Sequence, residues 1–247
     1  MTMSDIATFP VSMPASSAKP ATYTAPVTPG KVAMWLFLAT EVMFFTGLIG
    51  SYIVLRAGSP PTAYSDKYSP NTPLTAISNP EEVHFHHWPR PYDSSVNPLS
   101  IDLTAANTFI LICSSVTMVL ALGAAQRDDR KKTTMFLFAT MIIGGAFLSV
   151  QVYEYYQLIL GHIYPIGVSA TGHFRPSVSI FASCFFTMTG FHGTHVAVGV
   201  FMIFCTFLQS LRGVYTSKNY ASLEYIGLYW HFVDLVWIIL FTLVYLI

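Results

Sequence analysis

Charge is scarce in this chain of 247 residues. Asp, Glu, Lys and Arg together make up 10% of it, against about 25% in an ordinary soluble domain. Acidic and basic side chains balance to a formal net charge of zero. That excludes the basic footprint of a nucleic-acid binder, and no nucleic-acid partner is expected. Cysteine is nearly absent as well. Cys113, Cys184 and Cys205 each fall inside an apolar run, their spacing fits neither a zinc site nor a disulfide framework, and each reads as a small buried residue. A haem-attachment CxxCH, a Gly-rich phosphate loop and a Ser/His/Asp set are all missing. No catalytic and no metal-ligating residue is therefore assigned to the chain. Residues 1–30, rich in Pro, Ser, Thr and Ala, hold no apolar segment of the kind that a cleaved signal peptide needs. They read as a poorly ordered tail. Internal repeats, inverted or direct, are also lacking, which speaks against the common transporter plan.

What the chain has instead is apolar length. It is 53% hydrophobic with a mean hydropathy of +0.53, the composition of an integral membrane protein. Five apolar runs, at about 32–55, 104–125, 133–160, 178–208 and 221–247, each suffice to cross a bilayer at roughly 1.5 Å per residue. The expected fold is all-α: a polytopic five-helix bundle over residues 31–247, with a long outer loop at 57–103. Five spans put the two termini on opposite sides. With the basic loop 127–132 inside, that side collects Lys19, Lys31, Arg127, Arg130, Lys131, Lys132, Arg212 and Lys218. The other side collects only Arg56, Lys67, Arg90 and Arg175. The positive-inside rule then predicts a cytoplasmic N-terminus and an outer, periplasmic C-terminus.

Ionisable groups within the runs are few enough to name. Glu41 is the one such side chain in the first run and lies roughly 14 Å from its inner end, near the midplane. A carboxylate there needs a partner, hydration or a proton. His195, His231 and Asp234 fall at roughly 20, 15 and 20 Å from the inner ends of their own helices, which puts all four in one layer. His192 and His195 are three apart and share a helical face, as do His231 and Asp234. Two readings stand for this layer: interhelical hydrogen bonding and packing, helped by Gly190, Gly193 and Gly199, or proton handling. Elsewhere His84, His86 and His87 read as part of a loop, with Trp88 as an interfacial anchor. Tyr153, Tyr155 and Tyr156 with Glu154, at the outer end of the third helix, read first as an aromatic belt, and Trp88, Glu154, Tyr155 and Tyr156 are interface candidates.

Several stretches together resemble subunit III of the haem–copper oxidases, the cytochrome c oxidase family. They are Thr40-Glu41-Val42-Met43-Phe44-Phe45, His87-Trp88-Pro89 with Asn97-Pro98-Leu99, Glu154-Tyr155-Tyr156, Phe191-His192-Gly193-Thr194-His195-Val196, and Tyr229 through Trp237 (YWHFVDLVW). The resemblance covers roughly residues 31–247. It implies an accessory subunit without its own redox centre, in a proton-pumping, O2-reducing complex of the respiratory chain. Haem and copper would lie in partner subunits, with subunit I the main partner and subunit II a further one. The implied role is to stabilise subunit I, support proton uptake and protect against turnover inactivation. Glu41 matches the family's carbodiimide-reactive glutamate. Membrane phospholipid is a further expected ligand, and the bacterial inner membrane the expected location. The chain departs from the seven-helix form of the family as if the first two helices were absent, an arrangement that some bacterial members share. Quinol oxidases and nitric-oxide reductase clusters carry a similar five-helix subunit and form the alternative. A histidine metalloenzyme and an independent proton-coupled transporter are the rivals from other classes.

Overall fold

The computed structural model describes residues 28–58, 99–160, 176 and 180–247. The N-terminal tail as far as residue 27, Trp88 with most of the 57–103 loop, and the connection 161–175 lie outside the described residues.

Five long helices carry the described chain. They are α1 (Pro29–Ala57), α2 (Ile101–Gln126), α3 (Arg130–Leu160), α4 (Ile180–Leu211) and α5 (Ala221–Phe241), the last continuing as a single π-helical turn, Thr242–Leu246. All five are long and apolar enough to cross a membrane. Several run past the apolar stretches that mark them in the sequence. α1 starts at Pro29, whose fixed φ suits a first helical position. α3 takes in Arg130, Lys131 and Lys132 before its apolar run begins. Hydropathy falls at the membrane surface, but the helical hydrogen bonds do not stop there.

The turns on one side are tight. α2 and α3 are joined by three residues, with Asp128 at φ 58; Asp is among the few residues that adopt a left-handed conformation readily. α4 and α5 are joined by 212–220, closed by a lone bridge between Thr216 and Asn219.

α2, α3, α4 and α5 form a closed ring of contacts, each packed on two neighbours, and α1 lies outside against α5 and α4. The ring encloses Leu111, Met118, Phe147, Phe185, Ile203, Trp230 and Trp237, all buried. Trp230 shows how the helices come so close. Its ring lies between Gly144 of α3 and Gly199 of α4, where an added Cβ would meet it at 2.7 and 2.8 Å. Small residues at such a crossing let the backbones approach, the usual device of membrane helix packing. α1 is different: it buries only Leu38, Phe45 and Tyr52, seven residues apart, a narrow seam along one side. Met34, Leu48 and Ile49 flank that seam, partly buried, and many of its other apolar side chains, among them Trp35, Leu36, Met43 and Val54, are exposed, as lipid-facing residues are.

Candidate functional site

Glu41 sits on the seam of α1 between Leu38 and Phe45, so the side that packs on the bundle also carries the carboxyl. Glu41 Oε2 lies 2.9 Å from His195 Nε2 on α4. The side chains of His195 and Glu41 are only 19% and 17% exposed. Phe45 packs edge-on to the imidazole at 5.2 Å between ring centroids, and Phe44 stands further off at 6.4 Å. Tyr229 of α5 donates its hydroxyl to the backbone carbonyl of His195 at 3.1 Å. Three helices thus converge on this pair.

The hydrogen bonds fix how many protons the pair holds. His195 Nδ1 lies 2.7 Å from the carbonyl oxygen of Phe191. A carbonyl only accepts, so Nδ1 carries a hydrogen and donates it. The contact between Nε2 and Oε2 then needs one proton on its axis. With the proton on Nε2 the pair is imidazolium and carboxylate; with the proton on Oε2 it is imidazole and carboxylic acid. Both forms are neutral overall. A single ionised carboxylate in hydrocarbon is strongly disfavoured, and a neutral pair avoids that penalty. The geometry places two groups that can each hold that proton 2.9 Å apart.

The other members of the predicted layer go elsewhere. His192, three residues before His195, is fully buried on the bundle side. Its Nε2 lies 3.1 Å from the carbonyl oxygen of Val233, and its ring is 4.7 Å from that of Trp237. Asp234 is 7% exposed and accepts from the Ser115 hydroxyl of α2 at 2.6 Å through Oδ2. His231, half-buried one turn earlier, makes no hydrogen bond to Asp234 among the described residues. Two indoles flank Asp234: Trp230 Nε1 donates to Ser114 and Trp237 Nε1 to Thr108, each at 2.9 Å. Trp230, Asp234 and Trp237 recur at helical spacing and stitch α5 to α2. What reads as one polar layer in the sequence is therefore three separate arrangements: Glu41 with His195, His192 within the core, and Asp234 with Ser115.

Glu154 is not at a water-facing belt: it is 4% exposed. Thr104 of α2 and Tyr245 of the terminal π-helical turn approach its Oε1 at 3.4 and 3.3 Å. Tyr155 is hydrogen-bonded to Thr189 of α4 at 2.6 Å, and Tyr156 is exposed at 46%. Gln151, one turn before, donates to the Thr189 carbonyl at 2.8 Å. The sequence signal for this second buried polar group was the spacing Gln151, Glu154, Gln157, a stripe along one side of a helix. Among the described residues, no three His, Cys, Asp or Glu side chains gather where they could hold a metal ion.

Comparison with known proteins gives one consistent result. A family profile described as cytochrome c oxidase subunit III matches residues 12–247. A cytochrome c oxidase subunit 3 of Alkalihalophilus pseudofirmus is 28% identical over 87% of this chain and 85% of that protein. A protein of Rickettsia prowazekii named "probable cytochrome c oxidase subunit 3" is 33% identical over 91% of this chain and 71% of its own length. The cytochrome c oxidase subunit 3 of Bos taurus is 32% identical over 87% of this chain and 68% of its own.

Proposed function

The chain belongs to the cytochrome c oxidase subunit III family, and from that premise we propose that it is the accessory, non-redox subunit III of a proton-pumping terminal oxidase that accepts electrons from cytochrome c. Its location would be a bacterial inner membrane, with a cytoplasmic N-terminus and a periplasmic C-terminus. The charge bias of the loops supports that orientation. The chain would pack beside subunit I, with subunit II in the same complex, stabilise subunit I and support proton uptake. Haem and copper are assigned to those partners, and no step is routed through a metal held by this chain.

The observation that carries the reading is the intramembrane Glu41–His195 pair, with 2.9 Å between Oε2 and Nε2. Such a pair stays neutral only if uptake of a proton on one side is coupled to release of the one it holds, since uptake alone would leave it at +1 and release alone at −1. It would serve as a relay near subunit I and would not itself be part of the redox chemistry.

Purification in mild detergent through a tag on this chain tests the assignment. Haem absorption at one complex per chain, with oxidation of added cytochrome c, is the expected result. Oxidation of quinol instead would reassign the electron donor, and a colourless chain purified alone would overturn the oxidase role. Glu41→Gln is expected to leave the complex assembled and largely active, with a shorter active lifetime during turnover. A wild-type lifetime in that variant would assign the pair to helix packing.

A further inference from the structure

A groove of about 480 Å³ opens at the end of the molecule where the basic loop lies, between the first turns of α3 and the last turns of α4. Arg130 and Lys131 stand at its rim. Thr134 and Ser210 meet across its floor, their hydroxyl oxygens 2.7 Å apart. Phe138 and Phe207 continue it into the membrane, ring centroids 5.6 Å apart, with Phe138 48% exposed. From Arg130 to Phe138 the helix rises roughly 12 Å. One surface thus passes within that distance from two cations, over a pair of hydroxyls, to an apolar wall.

The two cations are not used up by the acids beside them. Asp128 accepts from the backbone N–H of Ser217 at 2.6 Å. Asp129 is paired with Lys132 at 3.1 Å. Arg130 and Lys131 have no ion-pair partner among the described residues. The guanidinium of Arg130 packs against backbone. It lies over Gly213, where a Cβ would come within 1.6 Å of Nη2, and Gly213 has φ 73, a conformation that suits glycine. The first turn of α3 adds its partial positive charge at the same rim.

We propose that this groove binds an anionic phospholipid, its phosphate at Arg130 and Lys131 and an acyl chain along Phe138 and Phe207. Uncompensated positive charge selects an anionic headgroup over a zwitterionic one, whose own cation would face Arg130 and Lys131. The apolar wall selects a lipid over free phosphate, which would use the rim and leave the two phenylalanines unfilled. The Thr134 and Ser210 hydroxyls satisfy one another, so a chain laid over them strands no polar group. This inference rests on the groove and on membrane insertion, and it stands whether or not the respiratory role does.

The test uses the full chain with its co-purifying partners, exchanged into micelles of equal parts phosphatidylglycerol and phosphatidylcholine. Lipid retained per chain is then counted by mass spectrometry. The wild type is expected to retain phosphatidylglycerol several-fold over phosphatidylcholine. Arg130→Gln with Lys131→Gln is expected to bring that ratio close to one. Arg127→Gln with Lys218→Gln, basic positions that do not line the groove, is expected to leave it unchanged. Equal retention of the two lipids in the wild type would overturn the proposal, as would a wild-type ratio in the Arg130 and Lys131 variant. Displacement of phosphatidylglycerol by inorganic phosphate alone would also overturn it, because the groove would then be a phosphate site. Should the double variant fail to insert, Lys131→Gln, at an exposed position, reads the same ratio with a smaller loss.

Discussion

α1 and α5 are both long apolar helices, and they are held in unlike ways. Of the 29 residues of α1 three are buried; of the 21 residues of α5 ten are. α5 fills the ring with two indoles and hydrogen-bonds α2 at three heights. α1 touches the bundle along one seam, and polar contacts mark that seam from end to end. At its start Lys31 pairs with Glu224 at 2.5 Å and Thr28 bonds Tyr225 at 2.7 Å. At mid-depth lies Glu41–His195. At its far end Tyr52 donates to the Leu243 carbonyl at 3.3 Å, and Arg56 donates to the Ile247 carbonyl. In lipid there is no hydrophobic gain from bringing apolar helices together, so association depends on close packing and hydrogen bonds. By that measure α2 to α5 form the stable unit, and α1 is clipped to it.

The strongest way to break this contrast is to remove the central indole. Trp230→Ala deletes a side chain that is 1% exposed, its hydrogen bond to Ser114 and its fit between Gly144 and Gly199. A loss of about 3–5 kcal/mol is expected, the range for large aromatic truncations in a core. The thermal midpoint of the detergent-solubilised protein measures it, and it should exceed the effect of any single substitution on α1. An equally large drop from Leu38→Ala would show that α1 belongs to the core after all.

The next effect is smaller and belongs to the clip. A double-mutant cycle with Glu41→Ala and His195→Ala is expected to give a coupling of about 0.6 kcal/mol, the average for hydrogen bonds between membrane helices, and at most about 1.7 kcal/mol. Separate thermal melts of the four proteins supply it. Zero coupling would leave the seam of Leu38, Phe45 and Tyr52 and the polar contacts at its two ends to hold α1. Glu41→Gln keeps a hydrogen-bonding side chain toward Nε2 and should cost less than Glu41→Ala.

The span count and the shared depth of Glu41 and His195 were legible in the sequence, because apolar length and rise per residue fix both. Which side chains meet at that depth was not. His192 and His195 are three residues apart, a rotation of roughly 300° about the helix, which leaves them some 60° from alignment. In a close-packed bundle that angle sends one ring into the core against Trp237 and the other to α1. The ties from Trp230 to Ser114 and from Trp237 to Thr108 span 116 and 129 residues, and no local pattern announces a partner so distant. Glu154 read as a belt residue from its place near a helix end. Its burial comes from Thr104 and from the π-helical turn that brings Tyr245 over it, and nothing in the sequence marks that turn.

The smallest expected effect lies outside both regions, in the tight turn between α2 and α3. Hydrogen bonds from Ser217, first its hydroxyl and then its backbone N–H, hold the Asp128 carboxyl below the ordinary aspartate value of 3.8, with Lys218 adding to the effect. Asp129 is lowered too, first by the backbone N–H and then by the side chain of Lys132. A carboxyl whose folded value lies below its unfolded one binds fewer protons when folded, so its contribution is present above 3.8 and is lost as pH falls through the folded value. Asp128→Asn isolates that contribution: it removes the charge, keeps an acceptor for Ser217 and tolerates the left-handed backbone at this position. The melting midpoint of the wild type should therefore exceed that of the variant near neutral pH, and the gap should close on acidification below the ordinary aspartate value. A gap of constant size across that window would place the difference in the geometry of the turn and not in the charge. A gap larger than the Glu41–His195 coupling would rank this turn above the mid-membrane clip as a fastening of the bundle.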